Sequence, residues 1–590
     1  MKQTFFVHQL PFHFTYEEEV SIELSLEKAD GGISLYRLAF TWPEEVYPKP
    51  ISLYYRFPTK DVYTMWDPLD KCRDLNVRFH KRGITQSRLA AGMPLKGLVS
   101  KSGNNAYLLA LSDVKSPISI KLGLSGHEEL PTEDLYLTFF TALTGPFRHY
   151  ETLLRIDERT IPFDLAVQEA KEWFCKQGYP PAYVPEEAKD PVYSTWYSYE
   201  KTISAEAVIQ ECKEAAKLGM KTVIIDDGWQ TDEPKGIPYY DRCGDWEPSP
   251  SKFPNMRAMT DQIHALGMKV MLWFSVPFIG YQSKIHSCFE GRYLYHLDSP
   301  HECSVLDPRY PEIRSYLTNT YEKAVTEWNL DGLKLDFIDR FKANGEITDE
   351  MDTVSVEDAV ELLLKEISTR LRTIRPDILL EFRQPYFGPV ISAYGNMMRV
   401  WDCPLDGVLN KNQSINLRLA TSGCAVHADM IYWTPDETPE GEAVQLLSTL
   451  FSVPQISVPM ASLTVPQRTV LSHYLTFWNE HRNTLCSPNL RVKLSENGYG
   501  YAYARYNGEK IALASSWNEL TVESEDREIF LFNITDEERI ILRNPNQQKL
   551  LCQSFDCMGR PASDAVSLTD RLSECPVPYG GMLKVTVASR

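Results

Sequence analysis

Charged side chains stand where short apolar runs end in the central part of this 590-residue chain. Aromatic residues, among them Phe337 and Trp401, stand beside them. Paired carboxylates accept hydrogen bonds from vicinal hydroxyl groups, and aromatic rings stack on the C–H faces of a sugar ring. This combination indicates a site for a neutral carbohydrate. The residues concerned are Asp226, Asp227, Lys334, Asp336, Glu381, Arg383 and Asp402, with the aromatic residues Trp196, Trp229 and Trp273.

Two of these groups have an informative spacing. Lys334 and Asp336 are separated by one residue, and alternate residues of a strand point to the same side. In a strand this apolar, that side is expected to face the interior or the mouth of a barrel. Asp226 and Asp227 are adjacent, so both can face one site only if the strand has ended, which a turn at Gly228 would permit.

Structural interpretations compete with these functional ones. An acid at the end of a strand commonly caps the next helix or stays in solvent, and this applies to any single Asp of the set. Lys334 and Asp336 could form a buried ion pair with no further role. Asp339, just beyond them, is expected to be a surface or capping residue.

A repeating rhythm of strand and helix must position these residues. Apolar runs such as KTVIIDDGW (221–229) and KVMLWFS (269–275) alternate with segments of helical spacing such as AEAVIQECKEAAKLG (205–219). Eight such strands within residues 191–485 are the number expected of a (β/α)8 TIM barrel, whose active site lies at the carboxyl ends of the strands. The alternative, an open doubly wound sheet, usually carries a glycine-rich phosphate turn after its first strand, and the sequence has none.

Sheet-forming segments flank the predicted barrel. Residues 1–165 contain alternating, β-branched and aromatic runs separated by Pro, Gly and Asp, which predicts an N-terminal β-sandwich. A helical linker at 166–190 leads into the barrel at 191–485. Short strands with turn residues at 486–590 predict a smaller C-terminal β-sandwich. The sequence therefore predicts a multidomain α/β protein in the order sandwich, barrel, sandwich.

The charge of the chain limits its partners. Lys and Arg number 61 against 80 Asp and Glu, a net charge of −19, which repels nucleic acid and anionic membrane surfaces. No run of about 18 apolar residues occurs, so no transmembrane helix is expected. The first residues turn acidic by Glu17 and do not read as a signal peptide. We therefore expect a cytoplasmic protein that binds neither nucleic acid nor membrane.

Three motifs carry a resemblance to a known family. IDDGWQ (225–230), DGLKLDF (331–337) and RVWDCPLD (399–406), in this order along the predicted barrel, resemble family 36 of the glycoside hydrolases, the α-galactosidase and raffinose-synthase group. That family shares a clan with the family 27 α-galactosidases. The resemblance covers the barrel closely and the flanking sandwiches by architecture only. It implies exo-acting, retaining hydrolysis of a small oligosaccharide or galactoside, with no metal and no cofactor.

The resemblance also implies roles for the two central acids. Asp336, in the K-x-D motif of the fourth strand, matches the nucleophile of the family. Asp402, three residues after Arg399, matches the acid/base. Asp406 is a weaker candidate for the acid/base, because the family pattern has a second Asp a few residues further on.

Such a reaction needs two carboxylates in different environments, one that stays ionised and one that carries a proton. Lys334 close to Asp336 predicts an ionised nucleophile, because a positive charge favours the carboxylate. Asp402 stands between Trp401 and Cys403, and these apolar neighbours predict a protonated acid.

The same resemblance implies which residues hold the sugar. Asp226 and Asp227 are expected at the 4- and 6-hydroxyls of galactose, and Lys334 on the side of the 3- and 4-hydroxyls. Further substrate contacts are expected from Trp196, Trp229, Trp273, Glu381, Arg383 and Arg399.

The chain departs from the family pattern in two loops. Typical members have a Cys-Ser-Gly-Gly-Gly-type turn with an Arg after the fifth strand, whereas this chain has EFRQPYFGP (381–389), in which Arg383 is expected to take over a hydroxyl contact. After the third strand it has LWFSVPFIG (272–280) instead of Trp-x-x-Pro-Glu. The fifth-strand loop is where the clan reads the C2 substituent, so galactose and N-acetylgalactosamine both stay open. His427 and Asp429 resemble a subgroup feature, with a hydrogen-bonded structural pair as the alternative.

Other functions stay open on the same residues. The site would also serve a raffinose-synthase-like transglycosylase, an α-N-acetylgalactosaminidase or an α-glucosidase-type hydrolase like those of family 31. A different class is an inactive sugar-binding protein, which the presence of both carboxylates argues against. The family often forms dimers or tetramers in which N-terminal loops close a neighbour's pocket, which allows a homo-oligomer. YTMWDPLDKCRD (63–74) is the candidate loop, although Trp66 in it is more readily interpreted as sandwich core.

Overall fold

A nearly closed barrel of eight short parallel strands forms the centre of the computed structural model, which describes residues 1–7, 10–58, 61–69, 83–125, 132–232, 238–495 and 498–588. Neighbours in the sheet follow one another in the chain, and β1 also pairs with β8. A parallel bridge between His427 and Val453 joins the last two strands. The strands are β1 (Val192–Ser194), β2 (Thr222–Ile225), β3 (Lys269–Ser275), β4 (Gly332–Asp336), β5 (Leu379–Arg383), β6 (Met397–Arg399), β7 (Ala425–His427) and β8 (Gln455–Ile456).

A helix follows each strand and covers the outside of the barrel. Polar side chains cap the first turns of most of these helices, for example Ser204 before α1 and Thr464 before α8. The predicted barrel fold with flanking sheet-rich parts is confirmed. The helices are α1 (Ala205–Lys217), α2 (Met256–His264), α3 (Pro311–Trp328), α4 (Val356–Ile374), α5 (Pro389–Tyr394), α6 (Gly407–Ala420), α7 (Pro439–Ser448) and α8 (Val465–Leu485).

A small antiparallel sheet interrupts the connection between β3 and α3. Its strands are Phe278–Gly280, Tyr293–Leu297 and Cys303–Leu306. The ring of Phe278 stacks on that of Phe337, which follows β4, with the centroids 4.9 Å apart. The small sheet therefore borders the mouth of the barrel where β4 ends.

The N-terminal part is a sandwich of two six-stranded sheets around an aromatic-rich core. One sheet contains Lys2–Val7, Leu10–Thr15, Ile51–Pro58, Thr132–Phe139, Ile118–Ser125 and Gly83–Ser87, in spatial order. The other contains Ser21–Asp30, Ile33–Val46, Phe147–Asp157, Asn105–Leu111, Leu95–Ser100 and Val62–Trp66. The helix Phe163–Cys175 leads from this sandwich towards the barrel.

The candidate loop 63–74 is described only up to residue 69. Trp66 is buried, and its indole N–H donates to Asn416 Oδ1 at 2.9 Å and to the Tyr499 hydroxyl at 3.0 Å. It therefore joins the sandwich, helix α6 and the C-terminal sheet. Residues 70–74 of the candidate loop lie outside the described residues.

The C-terminal part has a seven-stranded and a three-stranded sheet. In the described part of the chain, no helix combines the length and the apolar character needed to cross a membrane. The larger sheet contains Leu490–Ser495, Gly498–Tyr506, Glu509–Ala514, Glu528–Asn533, Met582–Val587, Leu550–Phe555 and Val566–Leu568, and the smaller one Glu519–Thr521, Arg539–Arg543 and Leu572–Pro576.

Candidate active site

Asp336 is the last residue of β4, and its carboxylate is buried at the mouth of the barrel. Its Oδ1 accepts hydrogen bonds from Arg383 Nε at 2.6 Å, from the Phe337 amide at 2.7 Å and from the Tyr386 hydroxyl at 3.1 Å. Its Oδ2 accepts one from Trp273 Nε1 at 3.1 Å. Oδ2 is therefore the less engaged of the two oxygens.

Cations hold the Asp336 carboxyl in its charged form. Burial alone would raise its pKa, but Arg383, then Lys334 and Arg399, outweigh burial and lower the pKa well below the usual range. The cation in direct contact is Arg383, because Lys334 Nζ is bonded to Asp226 Oδ2 at 2.5 Å. Lys334 therefore acts on Asp336 from a distance.

The end of β2 brings two acids to the same mouth. The strand ends at Ile225, so Asp226 and Asp227 both lie in the turn that follows, and both are buried. Gly228 has a φ of +114°, and a Cβ there would lie 2.6 Å from the Cα of Lys201. Only glycine permits this backbone path, which frees both carboxyls from the alternation of a strand.

Asp227 keeps one oxygen without a partner. Its Oδ1 accepts a hydrogen bond from Gln230 Nε2 at 2.7 Å. Its buried Oδ2 has no hydrogen-bond partner among the described residues, and Lys201 Nζ lies 3.7 Å away. Burial raises the pKa of Asp227 to about 6, against the opposing charge of Lys201. A buried acceptor without a partner is costly unless a ligand supplies a donor.

Arg399 ends β6 and joins three carboxyls below the mouth. Its Nη2 donates to Asp402 Oδ1 at 2.9 Å, and its Nη1 donates to Asp429 Oδ1. Its Nε lies 3.8 Å from Glu381 Oε1. Arg399 is almost completely buried, so these acids compete for one desolvated cation.

Asp402 is the exposed member of this group, with 53% of its side chain accessible. Burial raises its pKa, but Arg399 and Arg383 outweigh burial and lower it. The prediction that apolar neighbours favour a protonated Asp402 is therefore wrong, because Arg399 contacts the carboxylate directly. Asp406, the alternative acid/base, accepts a hydrogen bond from the Leu409 amide at 2.9 Å and caps helix α6.

Glu381 lies on β5, deep inside the barrel. Burial raises its pKa, and its Oε2 accepts a hydrogen bond from Gln455 Nε2 at 2.6 Å. Gln455 Nε2 also lies 3.2 Å from His427 Nδ1, and His427 Nε2 lies 2.8 Å from the Ala188 carbonyl oxygen. His427 and Asp429 thus have different partners, and the alternative of a hydrogen-bonded pair between them is wrong.

The three tryptophans expected at the substrate have different positions. Trp196 follows β1 and is half-buried. Trp273 is buried and donates its indole N–H to Asp336. Trp229 has no exposed surface, donates to the Trp273 carbonyl at 2.9 Å and packs against Phe274 with the ring centroids 5.3 Å apart. The expected substrate contact of Trp229 is corrected to a supporting position, because a fully buried ring cannot stack on a sugar.

Several residues of the mouth were missed in the sequence. Tyr386 lies in the loop after β5, where no periodicity marks it, and Tyr197 follows Trp196 directly after β1, a position that could have identified it. Asp339 was expected to be a surface or capping residue, but only 20% of its side chain is exposed, burial raises its pKa, and Phe337 holds the N-cap position of the short helix that contains it.

Comparison with known families adds an independent finding. A family model described as Melibiase matches residues 184–384. The chain is 29% identical over 153 residues to alpha-galactosidase 2 of Pediococcus pentosaceus, which is 25% of this chain and 20% of that protein. It is 24% identical over 176 residues to an A type blood alpha-D-galactosamine galactosaminidase of Flavonifractor plautii, 27% of this chain and 15% of that protein. These matches span a fifth or less of the length of either relative.

Solved structures resemble the chain over its whole length. An alpha-galactosidase from Lactobacillus brevis has a TM-score of 0.66 at 13% identity and covers 100% of this chain and 83% of its own. The GH36 alpha-galactosidase AgaA from Geobacillus stearothermophilus has a TM-score of 0.64 at 15% identity, with the same two shares of 100% and 83%. At these identities the likeness shows a common fold.

Proposed function

This chain is of the GH36 α-galactosidase type, a family of glycoside hydrolases, and we propose from this premise that it removes terminal α-linked galactose from small oligosaccharides by a retaining double displacement. The observation that supports the mechanism is the pair Asp336 and Asp402. Asp336 ends β4 and Asp402 lies three residues after the end of β6, and alternate strands of a barrel contribute side chains to the same layer. Arg383 and Arg399 lower the pKa of both carboxyls, which indicates a shared electrostatic site.

Asp336 is the proposed nucleophile. Its Oδ1 is held by Arg383, Tyr386 and a backbone amide, whereas Oδ2 has only the indole of Trp273. Oδ2 is therefore the oxygen that attacks the anomeric carbon and forms the glycosyl ester. The surrounding cations keep the carboxylate ionised, which a nucleophile of this kind requires.

Asp402 is the proposed acid/base. Its carboxyl is half-exposed and paired with Arg399. A bound leaving group would exclude water from it, and desolvation raises the pKa of a carboxyl towards the protonated form. Asp402 then protonates the departing oxygen and, in the second step, accepts a proton from the water that attacks the same face of the sugar.

The sugar is held at the end of β2 in this proposal. Asp227 Oδ2 is a buried acceptor without a partner, and the adjacent Asp226 is fixed by Lys334. An axial 4-hydroxyl donates to such acceptors, whereas the equatorial hydroxyl of glucose leaves them unpaired. Each unpaired buried group costs about 1–3 kcal/mol. A complex of a solved GH36 neighbour with raffinose supports an oligosaccharide as the substrate.

The test is a panel of p-nitrophenyl α-glycosides with the purified enzyme. We expect kcat/KM for the galactoside to exceed that for the glucoside by about 10²-fold or more. Asp227→Asn should reduce this ratio, because one oxygen of the acceptor pair becomes a donor. Equal rates on the two sugars would overturn the assignment of Asp226 and Asp227. Inactivity on every glycoside would leave an inactive sugar-binding protein as the remaining hypothesis.

The stereochemistry of the product tests the mechanism separately. We expect proton NMR to show the α-anomer of galactose first, because two inversions restore the configuration. The β-anomer as first product would replace the double displacement by direct attack of water. The N-acetylgalactosaminide belongs in the same panel, since one relative is named a galactosaminidase.

A further inference from the structure

We propose that Asp429 is a positioning residue that controls, through Arg399, how readily Asp402 takes up and releases its proton. This inference rests on the acid/base role proposed for Asp402 and gives a role to Asp429, which the family resemblance marked only as part of a subgroup feature. Asp429 itself touches no substrate, because its side chain has no exposed surface. It acts through the cation that it shares with Asp402.

The contacts of Asp429 place it directly behind the acid/base. Its Oδ1 accepts a hydrogen bond from Arg399 Nη1, while Arg399 Nη2 donates to Asp402 Oδ1 at 2.9 Å. Its Oδ2 accepts hydrogen bonds from the Cys403 amide at 2.6 Å and from the Tyr197 hydroxyl at 2.9 Å. One carboxylate thus holds both the cation beside Asp402 and the backbone of the next residue.

The backbone of Asp429 is fixed as well. Its amide donates to Asn410 Oδ1 at 3.1 Å, and Asn410 Nδ2 donates back to its carbonyl oxygen at 3.0 Å. Helix α6 therefore fixes the segment after β7 against the loop after β6. Because these contacts fix Asp429, its charge can influence the pKa of Asp402 without any movement of the side chain.

The charged and polar groups around this pair come from three strands of the barrel and from the segments that follow β1 and β6. Burial raises the pKa of Asp429 to about 6 in spite of Arg399, and Asp402 raises it further. The groups that interact with Asp402, with Asp429 or with the Arg399 that both contact are Lys334 and Asp336 from β4, Glu381 and Arg383 from β5, the thiol of Cys403 and the hydroxyl of Tyr197.

The effect of Asp429 follows from the sharing of one cation by two anions. While Asp429 is charged, it offsets part of the field of Arg399 at Asp402. Without that charge, the full field of Arg399 stabilises the ionised form of Asp402. Asp402 then becomes a stronger acid and loses its proton at lower pH. Removal of a nearby charge shifts the pKa of a carboxyl by about 1 unit.

The experiment compares pH profiles of kcat for the wild type, Asp429→Asn and Tyr197→Phe. Two substrates are used: melibiose, whose leaving group needs a proton, and 2,4-dinitrophenyl α-galactoside, whose leaving group does not. With melibiose, we expect Asp429→Asn to move the fall of kcat at high pH, the basic limb of the profile, down by about 1 pH unit. At pH values above this limb, kcat should then be about tenfold lower than in the wild type. The aryl substrate should show little of this loss.

Tyr197→Phe is the matched control. It removes a hydrogen bond from the same carboxylate and leaves every charge in place, so the basic limb should stay at the pH of the wild type. A shift as large as that of Asp429→Asn would mean that contact geometry, not charge, is responsible, and would overturn the inference. An unmoved limb in Asp429→Asn, or equal losses on both substrates, would overturn it as well.

Two precautions keep the outcome interpretable. If Asp429→Asn does not fold, Asp429→Ser removes the same charge with a smaller side chain and is measured in the same way. If the wild type hydrolyses neither galactoside, the proposed function fails. A wild type that is active while its Asp429 variants keep the same limb contradicts only the inference about Asp429.

Discussion

The two ends of strand β4 carry the same residue type in opposite roles. At the closed end, Asp331 precedes the strand and is bonded on every side. Its Oδ2 lies 2.6 Å from His264 Nε2 and accepts from the Val270 amide at 2.8 Å. Its Oδ1 accepts from Arg375, and Lys269 Nζ lies 3.4 Å away. Asp331 therefore links three neighbouring elements of the barrel.

At the open end, five residues later, Asp336 is paired with Arg383 and also interacts with the carboxyls of Asp402 and Asp339. Asp227, at the same mouth, keeps one buried oxygen without a hydrogen-bond partner among the described residues, and burial raises its pKa to about 6. Satisfied acids at one end stabilise the fold, and crowded, partly unpaired acids at the other are suited to chemistry. The predictions below test this contrast, from the largest effect to the smallest.

The largest effect is expected from Asp336→Ala. Loss of the nucleophile should lower kcat by about 10⁴-fold or more. The free energy of unfolding should also fall, because buried Arg383 loses the carboxylate with which it is paired. Steady-state kinetics and urea unfolding measure the two quantities. Added azide should restore part of the turnover and give an inverted glycosyl azide. A variant with a tenth of the wild-type activity would remove Asp336 from this role.

A smaller and substrate-dependent effect is expected from Asp402→Ala. A general acid contributes about 10²–10⁴-fold when the leaving group needs a proton. We therefore expect a loss of about 10³-fold on melibiose and a much smaller loss on 2,4-dinitrophenyl α-galactoside. Equal losses on the two substrates would indicate a binding role for Asp402 and would reopen the assignment of the acid/base.

A third buried acid, Glu442, has a raised pKa but no part in the proposed reaction. Glu442 on helix α7 is completely buried, and neither of its carboxyl oxygens has a hydrogen-bond partner among the described residues. Burial, and next the charge of Glu437, raise its pKa to about 9. Because Glu442 is protonated in the folded chain and ionised in the unfolded one at neutral pH, its contribution to stability is complete below about pH 4.5 and is lost as the pH rises to 9.

Glu442→Gln should remove this pH dependence. We expect the variant to be close to the wild type in unfolding free energy at pH 5 and more stable by about 4 kcal/mol at pH 8. Urea unfolding at the two pH values measures the difference, and kcat should be unchanged. A gap that does not widen with pH would contradict the raised pKa of Glu442.

The smallest effect is expected at the closed end of β4. Asp331→Asn should lower the free energy of unfolding by about 2 kcal/mol, because its cations are partly exposed and water can replace some of the lost interaction. Turnover should stay close to that of the wild type. A large loss of kcat without loss of stability would erase the distinction between the two ends of the strand.

The positions of the acids could be predicted from the sequence because they depend on local rules. Asp336 and Asp402 follow apolar runs, and the carboxyl ends of parallel strands meet at one edge of a barrel. The turn at Gly228 could also be predicted from the sequence, since glycine permits a backbone path that carries two adjacent carboxyls to one side. The barrel and its flanking sheets follow from hydrophobic periodicity in the same way.

The partners of these acids could not be predicted, because they depend on contacts between distant segments. Sequence spacing suggested Lys334 as the partner of Asp336, but Lys334 is bonded to Asp226 across the barrel and Arg383 from β5 takes its place. The apolar neighbours of Asp402 in the chain proved less important than Arg399, which points back at it.

The sequence by itself determined the kind of fold, the edge of the barrel where we propose the chemistry and the acids present there, because periodicity and strand ends are properties of short segments. The tertiary structure alone decided which cation serves which acid, which tryptophan faces Asp336 and which is buried behind it, and that Asp429 shares Arg399 with Asp402. The physical reason is that pKa values and hydrogen bonds depend on distances of a few ångströms. Those distances arise only when the register of neighbouring strands and the closure of the barrel bring residues far apart in the chain into contact.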